Sequence, residues 1–316
     1  MALSIARLAV VGSINIDIAV RMERLPMPGE TLHGTSFALS LGGKGANQAV
    51  AARKLGGDVT FVGRLGRDGF GEIAAGHLGA FGLDLAHVTR SDAAGTGIAT
   101  ISIDRAGQNA IVVVAGANAL LSPADVAAAA AGLAAARTLL LQCETPVAAS
   151  LAAARMVRAA GGQVILDPAP VPAGGIDSAL LALADVITPN ELEAQALTGI
   201  VVSDVESGLA AARRLRDMGA ASAIVKLGGK GVVLDFAGKQ TFFAPIPVKV
   251  IDTVAAGDCF NAGLGVALAE GATLDAAVRF ANACGALAVT RAGASEAAPT
   301  RSEVDALLAG ANLPVS

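Results

Sequence analysis

Two periodicities alternate along most of the chain. Short runs rich in Val, Ile and Leu predict strands at Leu8 to Val11, Val59 to Val62, Thr138 to Leu141, Val164 to Leu166, Asp185 to Ile187 and Ala223 to Lys226. Between them, apolar residues recur at helical spacing over Gly45 to Leu55, Gly71 to Ala80, Val147 to Ala160, Glu191 to Leu197 and Val205 to Met218. Ala124 to Leu141 reads as a helix running into a strand. Strands separated by helices pair in parallel and are covered on both faces, so the expected fold is α/β, with a largely parallel central sheet flanked by helices. In such a sheet the ligand belongs at the carboxyl ends of the strands.

Two stretches break that rhythm. Ile14 to Met22 and Thr31 to Ala38 flank the turn Leu25-Pro26-Met27-Pro28-Gly29, and Gly97 to Asp104 and Ala110 to Val114 flank Arg105-Ala106-Gly107-Gln108-Asn109. They predict two hairpins outside the helix-covered sheet, forming a small β lid from segments 14–38 and 97–114 of a single 1–316 domain. A lid excludes water from a transfer reaction. It can equally serve as a dimer surface. Leu313 to Ser316 reads as a disordered tail.

Composition removes several classes of function. The hydrophobic share of 53% is inflated by alanine, and no stretch offers eighteen strongly apolar residues without charge. Met1 to Val11 lacks a signal-peptide pattern, so a soluble cytoplasmic protein is expected, with no membrane partner. A net charge of −4 without polybasic runs argues against a nucleic-acid partner, and the absence of Trp and Tyr leaves few platforms for base stacking. Cys143, Cys259 and Cys284 are too few and too scattered for a disulfide framework or a zinc site, and His33, His77 and His87 show no metal-ligand spacing.

The chemistry concentrates at Asp252-Thr253-Val254-Ala255-Ala256-Gly257-Asp258, which opens the apolar helical run Cys259 to Ala269. Small residues before a helix leave backbone amides approachable, and amides at a helix start carry partial positive charge suited to a phosphoryl group. Asp258 in the first turn is placed to accept a proton, although an Asp near a helix N-terminus is also a common structural feature. A second small-residue cluster, Gly42-Gly43-Lys44-Gly45-Ala46-Asn47-Gln48-Ala49, opens another helix. Neither a Walker A pattern nor a GxGxxG after the first strand is present, which argues against P-loop NTPases and Rossmann dehydrogenases.

Gly12-Ser13-Ile14-Asn15-Ile16-Asp17, Pro28-Gly29-Glu30-Thr31, the Gly42 to Ala49 cluster, Thr188-Pro189-Asn190-Glu191 and Asp252 to Asp258 follow the order and spacing of the PfkB carbohydrate kinase family, which the chain resembles over nearly its whole length. The resemblance implies an ATP-dependent kinase of a free sugar, D-ribose foremost. Deoxyribose, fructose or adenosine are the alternative acceptors, and a catalytically silent sugar sensor is the alternative from another class. It makes Asp258 the base, with Ala255, Ala256 and Gly257 as anion hole. Asn15, Asp17, Gly43, Lys44, Asn47 and Glu144 become the sugar's hydroxyl partners.

Asn190 and Glu193 then handle Mg2+ and the phosphates through water, although the same pair reads as a helix cap. Lys226, Gly228 and Gly231 belong to a nucleotide loop that also reads as a hairpin turn, and Asn282 lies beside the adenine. The resemblance further implies a monovalent cation, K+, held by Asp252, Val254, Ala292 and Gly293, with Ala297 where a Ser hydroxyl is frequent. It implies a homodimer through the lid. Asp167-Pro168 at a strand end could face the phosphates, although an Asp before Pro more often reads as a turn; Cys259, beside the base, reads as a small buried hydrophobe, with the hypothesis that its oxidation would impair activity.

Overall fold

The computed structural model describes residues 6–310, so the tail expected at Leu313 to Ser316 lies outside the described residues. The strands are β1 (Arg7–Val11), β2 (Asn15–Arg21), β3 (Ser36–Gly42), β4 (Asp58–Gly66), β5 (Val88–Ser91), β6 (Gly97–Ile103), β7 (Asn109–Val114), β8 (Thr138–Leu141), β9 (Gln163–Leu166), β10 (Val186–Ile187), β11 (Ser222–Lys226), β12 (Val232–Phe236) and β13 (Lys239–Phe243). The helices are α1 (Lys44–Lys54), α2 (Gly69–Ala80), α3 (Pro123–Ala128), α4 (Ala130–Ala135), α5 (Val147–Ala159), α6 (Ser178–Leu183), α7 (Glu191–Thr198), α8 (Val205–Asp217), α9 (Ala256–Ala269), α10 (Leu274–Ala288) and α11 (Arg301–Gly310).

The large sheet has nine strands in the order β13-β12-β11-β10-β9-β8-β1-β4-β5, parallel from β11 to β5 and closed by the antiparallel pair β12 and β13. Its strands are apolar at successive positions because both faces are covered. The pleat divides them: Leu8, Val10, Leu140, Ile165 and Ile224 join α1, α9 and α10 in one core cluster. Ala9, Val11, Leu139, Leu141, Val164, Leu166, Ala223 and Val225 turn to the other face, against α5, α6 and α8. The alanines that raise the chain's hydropathy are the contact residues of these helices, Ala46, Ala49, Ala51 and Ala52 of α1 among them.

Chain order reverses between β1 and β8: β1 crosses over to β4, and β8 crosses over to β9 in the opposite direction. This switch point leaves a crevice beyond the carboxyl ends of the two strands, because their outgoing connections diverge. Ser13 follows β1 into it, and Glu144 follows β8.

The two hairpins pair with each other through parallel β2 and β6, giving one four-stranded sheet in the order β3-β2-β6-β7. The strand expected over Thr31 to Ala38 lies at Ser36–Gly42 instead. Residues 22–35 form a longer turn, which Arg24 holds through its ion pair with Glu30 while the Glu30 amide donates to the Met27 carbonyl at 3.0 Å. The helix expected from Ala124 divides at Ala129 into α3 and α4; Ser122 and Asp125 form a capping box at the start of α3, with Pro123 in its first turn.

Candidate active site

Helix α1 begins where β3 ends, and two glycines make the junction. Gly43 adopts φ 87, and a Cβ there would stand 2.8 Å from the Asn15 amide nitrogen. A Cβ on Gly45 would meet the Gly12 carbonyl carbon at 2.5 Å, so the helix start lies directly against the end of β1. The first amides of α1 are all satisfied from the crevice: Lys44 donates to Glu144 Oε2 at 3.0 Å, Gly45 to Ser13 Oγ at 3.4 Å and Ala46 to the Ser13 carbonyl at 2.9 Å. Ser13 Oγ also donates to Glu144 Oε2, so Glu144 is both a helix cap and a wall of the crevice.

Helix α9 starts differently. Ala255 sits in the left-handed region at φ 56, ψ 11, with no side-chain cap. That strained turn points Gly257 and Asp258 into the crevice. Among the described residues, no acceptor takes the Gly257 or Asp258 amide, which leaves two donors and the helix's positive end open to an anion. Lys226 Nζ lies 3.3 Å from the place a Gly257 Cβ would occupy, adding a positive charge beside them.

Asp258 is buried at 5% exposure and held by two neighbours on α1. Asn47 Nδ2 donates to its Oδ2 at 3.0 Å, and Gln48 Nε2 to its Oδ1 at 3.0 Å. Ser295 Oγ orients Asn47 by donating to its Oδ1 at 2.8 Å. Burial pushes the Asp258 carboxyl up to about 6, with Lys44 opposing the rise and Asp167 adding to it. Lys44 is itself disfavoured as a cation by burial, but Asp258, Asp167, Glu144 and Glu193 outweigh that and hold it above its ordinary value.

The small sheet supplies the opposite wall. Asn15 and Asp17, two apart on β2, share a face, while Ile16 and Ile18 turn to the other and pack on the core. Asp17 lies against Gly42, where a Cβ would overlap its carboxylate at 2.1 Å. Burial raises the Asp17 carboxyl to about 6, helped by Glu144, Asp258 and Glu296. Asn118 Nδ2 donates to Asn15 Oδ1 at 2.7 Å and Asn118 Oδ1 accepts from the Ile14 amide at 2.9 Å, fixing the exit of the chain from β1.

On the far side, Asn190 and Glu193 do form a reciprocal capping box at α7: Glu193 N donates to Asn190 Oδ1 at 2.9 Å and Asn190 N to Glu193 Oε2 at 2.8 Å. They also face the crevice, for Glu193 is raised by burial and then by Asp167, with Lys226 opposing. Lys226 pairs with Asp167 at 3.3 Å. The Lys226 to Gly231 segment is the turn of the β11–β12 hairpin; Gly231 at φ 103 is required there, since a Cβ would meet the Phe243 carbonyl oxygen at 2.3 Å. Gly228 adjoins Glu191. Asn282 on α10 donates to the Ala244 carbonyl at 2.9 Å, just beyond the end of β13.

Asp252 joins the two remaining loops. Its Oδ1 accepts from the Val254 amide at 3.0 Å and its Oδ2 from the Gly293 amide at 3.1 Å. Ala297, buried, offers no hydroxyl. No group of three or more His, Cys, Asp or Glu side chains able to hold a metal occurs among the described residues, so a divalent ion here would be held chiefly by phosphate oxygens and water.

Gln48, Asp167, Ser13, Asn118 and Ser295 are site neighbours that sequence reasoning did not select. Asp167 carried a usable signal, a carboxylate at the carboxyl end of a parallel strand; it is buried and paired to Lys226, not a solvated turn. Cys259 agrees with the reading as a small hydrophobe. It is buried, and burial followed by the Asp258 charge pushes its thiol up to about 12, so it stays a protonated, inert thiol beside the site.

Open amides, a flanking lysine, an oriented buried carboxylate and a wall of hydroxyl-binding groups are the parts of a phosphotransferase acting on a polyol. Residues 5–301 match the pfkB family carbohydrate kinase, and the chain belongs to that family. It is 40% identical over 296 residues to the ribokinase of Haemophilus influenzae, covering 94% of this chain and 96% of that one. It is 38% identical over 315 residues to the ribokinase of Arabidopsis thaliana, covering 95% and 80%. Among solved structures, the ribokinase of Thermotoga maritima superposes with a TM-score of 0.87 at 37% identity, covering 96% and 99% of the two chains. The Arabidopsis thaliana ribokinase complexed with ribose and ATP gives the same TM-score, identity and coverage.

Proposed function

We propose that this chain phosphorylates free D-ribose to D-ribose 5-phosphate at the expense of ATP. The observation that carries the reading is Asp258, a buried carboxylate with both oxygens oriented by amides at the open start of α9. Asp258 is the base: it takes the proton of the sugar's primary hydroxyl as that oxygen bonds to the γ-phosphorus and the bond to the β-phosphate oxygen breaks. The open amides of Gly257 and Asp258, with Ala255 and Ala256 shaping the turn, receive the charge that develops in flight. Asn15, Asp17, Gly43, Lys44, Asn47 and Glu144 orient the sugar. Lys226, Gly228, Gly231 and Asn282 line the nucleotide side, and Asn190 and Glu193 would hold Mg2+ through water. When bound, Mg2+ neutralises the phosphate oxygens.

Asp17, Glu144 and Glu296 put like charges around the acceptor, which supports a neutral sugar over one already phosphorylated. The aromatic of the small sheet, Phe37, is 72% exposed and offers no stacking wall for a nucleoside base. Asp252, by tying the 252–254 and 292–293 loops together, supports a K+ site built from Asp252 and the carbonyls of Val254, Ala292 and Gly293. Equal turnover in potassium, sodium and choline buffers would remove that site.

The test is ADP release with Mg-ATP across ribose, deoxyribose, fructose, fructose 6-phosphate and adenosine, with Asp258→Asn in parallel. Ribose is expected to exceed the other acceptors in kcat/KM by about ten-fold or more. Asp258→Asn should lower kcat by on the order of a thousand-fold. Turnover favouring another acceptor would reassign the substrate; ribose binding without turnover would make the protein a sensor.

A further inference from the structure

Gln48 is fully buried and was assigned no role toward sugar or nucleotide, yet it bonds two carboxylates of the site. Its Nε2 donates one hydrogen to Asp258 Oδ1 at 3.0 Å and the other to Asp167 Oδ2 at 3.1 Å, and its Oε1 accepts from Gln142 Nε2 at 2.7 Å. Only one orientation of the amide is possible. A flipped amide would set its oxygen against two carboxylates and its nitrogen against the Gln142 donor.

We propose that Gln48 is a positioning residue for phosphoryl transfer, locking the Asp258 carboxylate in its reactive orientation and linking it to the Asp167–Lys226 pair beside the open amides. The inference rests on the reading of Asp258 as base. Asn47 and Gln48 grip the two oxygens of Asp258 from adjacent positions of one helix, so the plane of the carboxylate is set by α1, while the carboxylate itself belongs to α9. A neutral double donor between two buried carboxylates lets both stay ionised at close range.

The charged groups facing Asp258 are Lys44 from α1, Asp167 from the end of β9, Asp17 from β2, and Lys226 from β11 by way of Gly257. Its own helix contributes only the protonated Cys259. Of these groups, Gln48 bonds Asp258 and Asp167 directly and reaches Lys226 through Asp167. Removing its donor strips one hydrogen bond from each carboxylate and leaves the base harder to ionise.

The experiment is the pH dependence of kcat and of KM for ribose, from about pH 5 to 9, for Gln48→Met and Gln48→Glu, with melting temperatures and with Asp258→Asn in parallel. Gln48→Met should move the acid limb of kcat up by about one pH unit and recover activity in alkali, with KM changed by no more than about two-fold. Gln48→Glu, adding a third carboxylate, should move the limb further. Should the apolar variant fail to fold, Gln48→Glu keeps the side-chain length and the oxygen that Gln142 uses, and carries the test alone. An acid limb that stays in place in both variants, or a uniform loss at every pH matched by a fall in melting temperature, overturns the proposal. If Asp258→Asn is inactive while that happens, only the role of Gln48 is lost; if Asp258→Asn keeps turnover, the base assignment falls as well.

Discussion

Asp17 is a single residue whose burial costs stability at a position proposed to bind sugar. Its carboxylate is desolvated, packed on Gly42 and surrounded by Glu144, Asp258 and Glu296, so its folded value of about 6 lies above the ordinary 3.8. A carboxyl raised on folding contributes stability that is complete below the unfolded value and is lost as pH rises through the folded one. Asp17→Asn should therefore raise the melting temperature by about 2 °C or more at pH 8, with the gain vanishing near pH 4, while KM for the sugar rises by on the order of ten-fold or more. Calorimetry at the two pH values checks the first, and steady-state kinetics the second. Asp258 has the same sign: if it is the base, as proposed, the ionised form is the active one and kcat should fall as pH drops below about 6. The two carboxylates were legible from their motifs. Their shared elevation was not, because it comes first from burial and then from charged groups far apart in the chain, Glu144 and Glu296 for Asp17 and Asp167 for Asp258.

At the scale of elements, the site is made by helix starts. Helix α1 is capped from outside by Ser13 and Glu144, and α9 is left uncapped behind a left-handed Ala255. A left-handed alanine costs about 1–2 kcal/mol, of which glycine's greater chain entropy returns part. Ala255→Gly should accordingly stabilise the protein by about 0.5–1 kcal/mol in urea unfolding and leave kcat within about two-fold, since Gly keeps the amides where they are. Gly45→Ala is the opposite case. Its Cβ would stand 2.5 Å from backbone that cannot yield, and a loss of about 3 kcal/mol or more in the same measurement is expected. Strand positions and most helices were readable from periodicity to within a few residues. The shifted β3 was not, because its register is set by pairing with β2 and its preceding turn by the Arg24–Glu30 ion pair.

For the whole molecule, the free edge of the small sheet is the unfinished feature. Ile111, Val112, Val113 and Val114 of β7 are all at least 53% exposed, as is Phe37 of β3, an arrangement that soluble monomers ordinarily blunt with charge. A second copy of the chain covering this sheet is the occupant we propose. Val113→Lys should convert a dimer to a monomer in sedimentation velocity, with large-sheet stability unchanged; a wild-type chain that sediments as a monomer would remove the interface.

Residue patterning by itself determined the class of fold, because a strand buried on both faces and a helix buried on one leave different periods in the sequence. It also pointed to the motifs proposed to meet a sugar and a phosphate, because those are contiguous and lie at element ends. What only the tertiary structure decided is how those ends converge. The reversal between β1 and β8 opens the crevice, and Gln48, Asp167 and Asn118 acquire their partners there; hydrogen-bonding direction and burial depend on distances in space that separation along the chain does not encode.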